Sequence, residues 1–118
     1  MPSHYEAFAA LHRPGNPVIL YNIWDPGSAR AVAAAGARAI ATGSHPVGDA
    51  AGFGDGQQVP IDFVVDNARR IVSAVGLPVT VDFESAYSLD PAEAGANVAR
   101  LKSAGAVGCN FEDRKSVV

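Results

Sequence analysis

The plainest pattern in the chain runs from Ile61 to Val75. Ile61, Val64, Val65, Ala68, Ile71, Val72 and Val75 recur every three or four positions and make one apolar stripe, which predicts a helix ending at Gly76. Reading outward from it, Ser3 and Glu6 have capping-box spacing and open a short helix to about Leu11. Val18-Ile19-Leu20-Tyr21 is a continuous apolar run, as in a strand buried on both faces. Asp25 then stands as N-cap and Pro26 at the first helical position of an Ala-rich helix closed by Gly36. Ala39-Ile40-Ala41 predicts a second strand that ends in Thr42-Gly43-Ser44. His45 to Pro60 reads as a long loop rich in Gly and Asp. A third strand begins at Pro78. Asp90-Pro91-Ala92-Glu93 opens a further helix with Ala94, Val98, Leu101 and Ala104 inward, and Gly105 ends it before a fourth strand.

In the third strand the period changes to two. Val79, Val81 and Phe83 fall on one face, and Thr80, Asp82 and Glu84 on the other. The fourth strand repeats this design. Gly108, Asn110 and Glu112 alternate with Val107, Cys109 and Phe111. If these strands are parallel neighbours, Asp82, Glu84 and Glu112 meet at one mouth. Three carboxylates there repel one another unless a cation lies between them. Oxygen ligands of this kind suit Mg²⁺ or Mn²⁺.

Strand and helix alternate four times, which means an α/β fold with parallel strands and right-handed crossovers. An open doubly wound sheet and a TIM-type barrel both satisfy that order. No Gly-x-Gly-x-x-Gly follows any strand, which weakens the dinucleotide-binding version. The conspicuous polar groups all lie at strand C-termini, where a barrel carries its chemistry. Eight β/α units take about 250 residues. Residues 1–118 are therefore expected to form a single domain of four (β/α) units, the first half of a barrel.

Composition narrows the picture further. At 48% hydrophobic residues the chain is globular in character, and its net charge of -3 offers no footprint for nucleic acid. Cys109 is the sole cysteine, so an internal disulfide and a Cys-based zinc site are excluded. No apolar run is long enough for a membrane helix or a signal peptide, so a cytoplasmic location is expected.

The segments Asn22-Ile23-Trp24-Asp25-Pro26-Gly27-Ser28-Ala29, Ala41-Thr42-Gly43-Ser44, Gly54-Asp55-Gly56, Val81-Asp82-Phe83-Glu84 and Asn110-Phe111-Glu112-Asp113 appear in this order, most of them at strand ends. Together they resemble the phosphoenolpyruvate mutase/isocitrate lyase superfamily, from about Phe8 to Arg114. The resemblance implies a (β/α)₈ barrel that binds Mg²⁺ and a small 2-oxo acid and makes or breaks a C–C or P–C bond beside it. It implies that Asp82, Glu84 and Glu112 are metal-site acids. It implies that Thr42, Gly43 and Ser44 hold the substrate carboxylate, and that Asp55 is the catalytic acid of a gating loop. Two departures stand out. Ala86-Tyr87-Ser88 replaces the family's usual Gly-Tyr-Gly, and the substrate-binding positions of the later strands have no counterpart.

Each residue also has a plainer reading. Asp82 and Glu84 alone would be two solvated acids, and Asp55 alone a turn residue between glycines. Trp24 either stacks in the mouth as a substrate contact or buries a bulky ring there. Asp25 and Asp90 are explained by helix capping, and Cys109 as a small buried hydrophobe. Two functions are expected from the whole. One is a Mg²⁺-dependent lyase or mutase acting on a 2-oxo acid through an enolate. The other is a truncated, catalytically silent half-barrel that self-associates, since open parallel edges recruit partners. A homo-oligomer is expected in either case.

Overall fold

A computed structural model describes residues 2–54 and 59–113. The chain forms α1 (His4–Ala10), β1 (Asn22–Ile23), α2 (Pro26–Ala34), β2 (Ile40–Thr42), α3 (Ser44–Ala51), α4 (Ile61–Ala74), β3 (Val79–Asp82), α5 (Pro91–Ser103) and β4 (Gly108–Asn110). The four strands lie in the order β1-β2-β3-β4, every pair parallel. Neighbours in sequence are thus neighbours in the sheet, as in a barrel wall and unlike a doubly wound sheet, whose order reverses at a switch point.

The core lies between the sheet and its helices. Val79, Val81 and Phe83 are at most 1% exposed and pack with Ile71, Ala68 and Leu101 of α4 and α5. Val65, Ala68 and Ile71 are buried on α4, as its stripe requires. Thr80 and Asp82, on the opposite face, are half-buried. Register carries this split across the sheet. Asn22 pairs with Ala41, Ala41 with Thr80, Thr80 with Gly108, and Asp82 with Asn110. These residues share the face that would become the inside of a barrel. A methyl added to Gly108 would lie 3.1 Å from Thr80 Oγ1 and 3.4 Å from the ring of Phe8, so α1 leans on that face near the base of β4.

Helix starts follow their capping residues. Asp25 accepts from Ser28 N–H at 2.7 Å, and Ser28 Oγ reaches back to Asp25 N–H, a reciprocal cap worth about 1 kcal/mol. Ser3 accepts from Glu6 N–H. Asp90 occupies the N-cap of α5 without a side-chain cap bond. Ser88 instead links the cap residue to the first turn, accepting from Asp90 N–H and donating to the Glu93 carboxylate.

Three sequence expectations are corrected. The apolar run Val18–Tyr21 is not a strand: pairing starts at Asn22, and Ile19 and Tyr21 are 74% and 69% exposed. The run precedes the register that β2 offers, so only Asn22 and Ile23 find ladder partners. The stretch from His45 to Pro60 is not all loop. Ser44–Ala51 is a helix ended by Gly52 at φ 83°, and Pro46 is tolerated because it falls in the first turn, where N–H groups lack intrahelical acceptors. Gly36 and Gly105 close their helices at φ 105° and 103°, but Gly76 does not. The chain leaves α4 through Val75 in an extended conformation instead.

No helix of the described residues is long and apolar enough to cross a membrane.

Candidate functional site

Asp82 is the junction of the strand ends. As the last residue of β3, it projects from the inner face. Its Oδ2 accepts from Ser44 N–H at 3.0 Å, where β2 passes into α3. Its Oδ1 accepts from Glu84 N–H and from Asn110 Nδ2, each at 3.3 Å. Its own N–H donates to Thr42 Oγ1 at 3.1 Å. One carboxylate therefore ties the ends of β2, β3 and β4 together. Two oxygens offer about four acceptor positions. Three donors occupy them among the described residues.

Glu84 stands differently from what strand alternation implies. The strand ends at Asp82, and Glu84 turns into the left-handed region at φ 53°, followed by Ala86 at 59° and Tyr87 at 61°. Buried Ala86 adopts this conformation at a cost on the order of 1 kcal/mol. The turn brings Tyr87 Oη within 3.3 Å of Glu84 Oε2. Burial first, then the negative charge of Glu84, pushes the Tyr87 hydroxyl well above its ordinary range. Tyr87 therefore remains a protonated donor to Glu84. The Glu84 carbonyl accepts from Glu112 N–H at 2.7 Å, and Phe83 N–H donates to the Asn110 carbonyl. The backbones of Asp82, Glu84 and Glu112 are thus joined across β3 and β4. Their side chains do not make a closed cage. Glu112 is exposed, and among the described residues no three His, Cys, Asp or Glu side chains come together closely enough to hold a metal by themselves.

The Thr42-Gly43-Ser44 segment sits beside Asp82. Its polar groups are engaged within the chain: Thr42 Oγ1 with Asp82 N–H, Gly43 N–H with the Ile23 carbonyl, and Ser44 N–H with Asp82. Gly43 is closely surrounded, so a larger residue there would make its neighbours shift by a few tenths of an ångström. A methyl there would stand 3.0 Å from both Asn22 Nδ2 and Pro46 Cγ. Trp24, 41% exposed, lies just beyond β1, with its carbonyl accepting from Asn67 Nδ2 of α4 at 3.1 Å. Asp55 lies outside the described residues.

Three contributors go beyond the residues singled out from sequence. Asn110 was legible, because it shares the parity of Glu112 on a strand beside Asp82. Asn67 and Tyr87 gave no local signal, since one reaches across 43 positions and the other depends on an irregular turn.

The sequence matches the family model described as phosphoenolpyruvate phosphomutase over residues 8–117. A candidate phosphonomutase from Burkholderia cenocepacia J2315 has a crystal structure that is 45% identical, with a TM-score of 0.90 over 98% of this chain and 46% of its own. An uncharacterised protein of Mycobacterium tuberculosis strain H37Rv is 36% identical over 111 residues, 91% of this chain and 40% of the relative. A phosphonopyruvate hydrolase solved with oxalate and Mg²⁺ shares the fold, with a TM-score of 0.88 at 17% identity over 99% of this chain and 43% of that one. The chain thus spans less than half the length of these relatives and matches the N-terminal part of a TIM-type barrel. With four parallel β/α units in barrel order and this match over nearly its whole length, the chain belongs to the phosphoenolpyruvate phosphomutase family.

Proposed function

We propose that the mouth formed by β2, β3 and β4 holds Mg²⁺ or Mn²⁺ and a small 2-oxo acid, and serves lyase or mutase chemistry at a C–C or P–C bond through an enolate. The observation that carries this reading is Asp82. It is a half-buried carboxylate fixed by three N–H donors at the ends of three strands, with two more acids on the adjoining backbone. The donor set fits the habit of Mg²⁺, which takes one or two carboxylates and keeps several waters. Asp82 would bind directly, and Glu84 and Glu112 through water. The relative solved with oxalate and Mg²⁺ supports the pairing of such an ion with a small dicarboxylate.

When bound, the ion would stabilise negative charge developing on the substrate carbonyl oxygen. The residues of this chain supply orientation. Ser44 N–H and Asn110 hold the Asp82 carboxylate so that it need not reorganise as charge develops. The Tyr87 hydroxyl holds Glu84 beside it. Because the N–H groups of Gly43 and Ser44 are engaged internally, the substrate carboxylate would meet the Ser44 hydroxyl at the start of α3, where the helix dipole favours an anion. Trp24, at the end of β1, would flank the substrate from that side.

Titration calorimetry with Mg²⁺ tests the reading. Asp82→Ala should weaken binding by at least ~10-fold, in line with loss of a direct ligand. Equal affinity in the two proteins would end it.

A further inference from the structure

The inward stripe of α5 holds an amide among apolar residues. Ala94, Val98, Leu101 and Ala104 pack against the core, and Asn97 lies among them at helical spacing, half-buried. Enclosing an amide costs free energy unless it finds a partner. Asn97 Nδ2 donates to the Ala86 carbonyl at 2.8 Å, across 11 positions of sequence. Ala86 is fully buried and sits inside a turn that chirality disfavours. Glu84, Ala86 and Tyr87 all have positive φ, at 53°, 59° and 61°. None is glycine, so each would relax toward ordinary backbone if the turn were released. Three carbonyls tie the turn down. That of Phe83 accepts from Ala86 N–H at 2.8 Å and closes the turn on itself. That of Glu84 accepts from Glu112 N–H at 2.7 Å and fixes the turn beyond β4. That of Ala86 fixes it to α5.

We propose that Asn97 is a positioning residue for the strand mouth: from α5 it clamps the left-handed turn that sets Glu84 beside Asp82 and Tyr87 beside Glu84. The turn carries both contacts. Glu84 N–H donates to Asp82 Oδ1, and Tyr87 Oη reaches Glu84 Oε2, each at 3.3 Å. The Tyr87 ring meanwhile packs on Phe83, with centroids 5.3 Å apart. Without the Asn97 donor, the buried Ala86 carbonyl loses its partner and the turn gains by opening toward water. Opening takes Tyr87 off Phe83 and Glu84 away from Asp82. Asn97 itself would touch neither ion nor substrate. Its bearing on the ion rests on the function proposed above, whereas the clamp stands on the backbone alone.

Amide hydrogen exchange under native conditions tests the clamp, on Asn97→Ala and Asn97→Asp. The first removes donor and volume; the second keeps the shape at neutral pH and removes only the donor. Helical circular dichroism should be unchanged in both. The Ala86 and Glu112 amides, which bond to carbonyls of the turn, should exchange ~10-fold faster or more in each variant. The Ala37 and Phe53 amides, held by turn bonds elsewhere, should keep their wild-type rates. Saturating Mg²⁺ should slow the Ala86 and Glu112 amides again, since an ion that favours the clamped turn stabilises it by linkage. Wild-type rates at Ala86 and Glu112 in both variants would overturn the clamp, as would equal acceleration at Ala37 and Phe53. Mg²⁺ that binds by calorimetry yet leaves the turn amides unslowed would overturn the link to the ion. A protein that binds no Mg²⁺ would end the ion reading alone, and exchange without metal would still decide the clamp.

Discussion

At the residue scale, the chemistry depends on side chains whose surroundings are set by other elements. Asp82 was legible because strand alternation places it opposite buried Val81, and the structure keeps that parity. Glu84 was read by extending the same alternation two residues too far. Its backbone has already turned, so its position owes more to the Tyr87 hydroxyl and the Glu112 amide than to the strand. Cys109 packs against the core but is only half-buried, less enclosed than its pattern predicts. Burial raises its thiol above the ordinary value of 9.0. A raised folded-state value favours the protonated form. The associated stability is therefore full below the unfolded value and is lost as pH climbs through the folded one. Alkylation by iodoacetamide at pH 8 should be several-fold slower in the native protein than in urea, with the gap closing above about pH 9. Equal rates at pH 8 would contradict the burial.

At the element scale, what was readable and what was not divides by the range of the interaction. Helices α2 and α4 announce themselves through caps and a 3.6-residue stripe, which are local signals. Helix α3 was hidden because Gly, Pro and Asp weaken helix propensity, while Gly43 and Gly52 bound it through backbone conformation alone. Strand β1 was misplaced because a ladder needs a partner in register, and the apolar run has none. The packing of α4 against the end of α5 gives a direct check. Gly105 has φ 103°, and a methyl there would stand 2.8 Å from Val72 Cγ1. Gly105→Ala should cost about 2 to 4 kcal/mol in urea unfolding, combining left-handed strain with overlap. A change under about 0.5 kcal/mol would mean that α4 and α5 do not meet at this point.

At the scale of the whole molecule, the sheet separates two kinds of surface. Its helix side is a closed core. Its inner side is polar toward the strand C-termini, where Asp82 and Asn110 lie, and its edges are apolar and open. The crevice among Thr42, Ser44, Asp82, Glu84 and Tyr87 holds only about 10 Å³, scarcely one water, so a substrate would have to sit in front of the strand ends. That geometry makes the position of the ion the claim on which the functional reading turns. Mn²⁺ titrated into isotope-labelled protein reports it directly through relaxation of backbone amides. Ser44, Glu84 and Asn110 should broaden first, ahead of the acids on α4 such as Asp62 and Asp66. First broadening at Asp62 and Asp66, or uniform broadening along the chain, would contradict a divalent-ion site at the mouth.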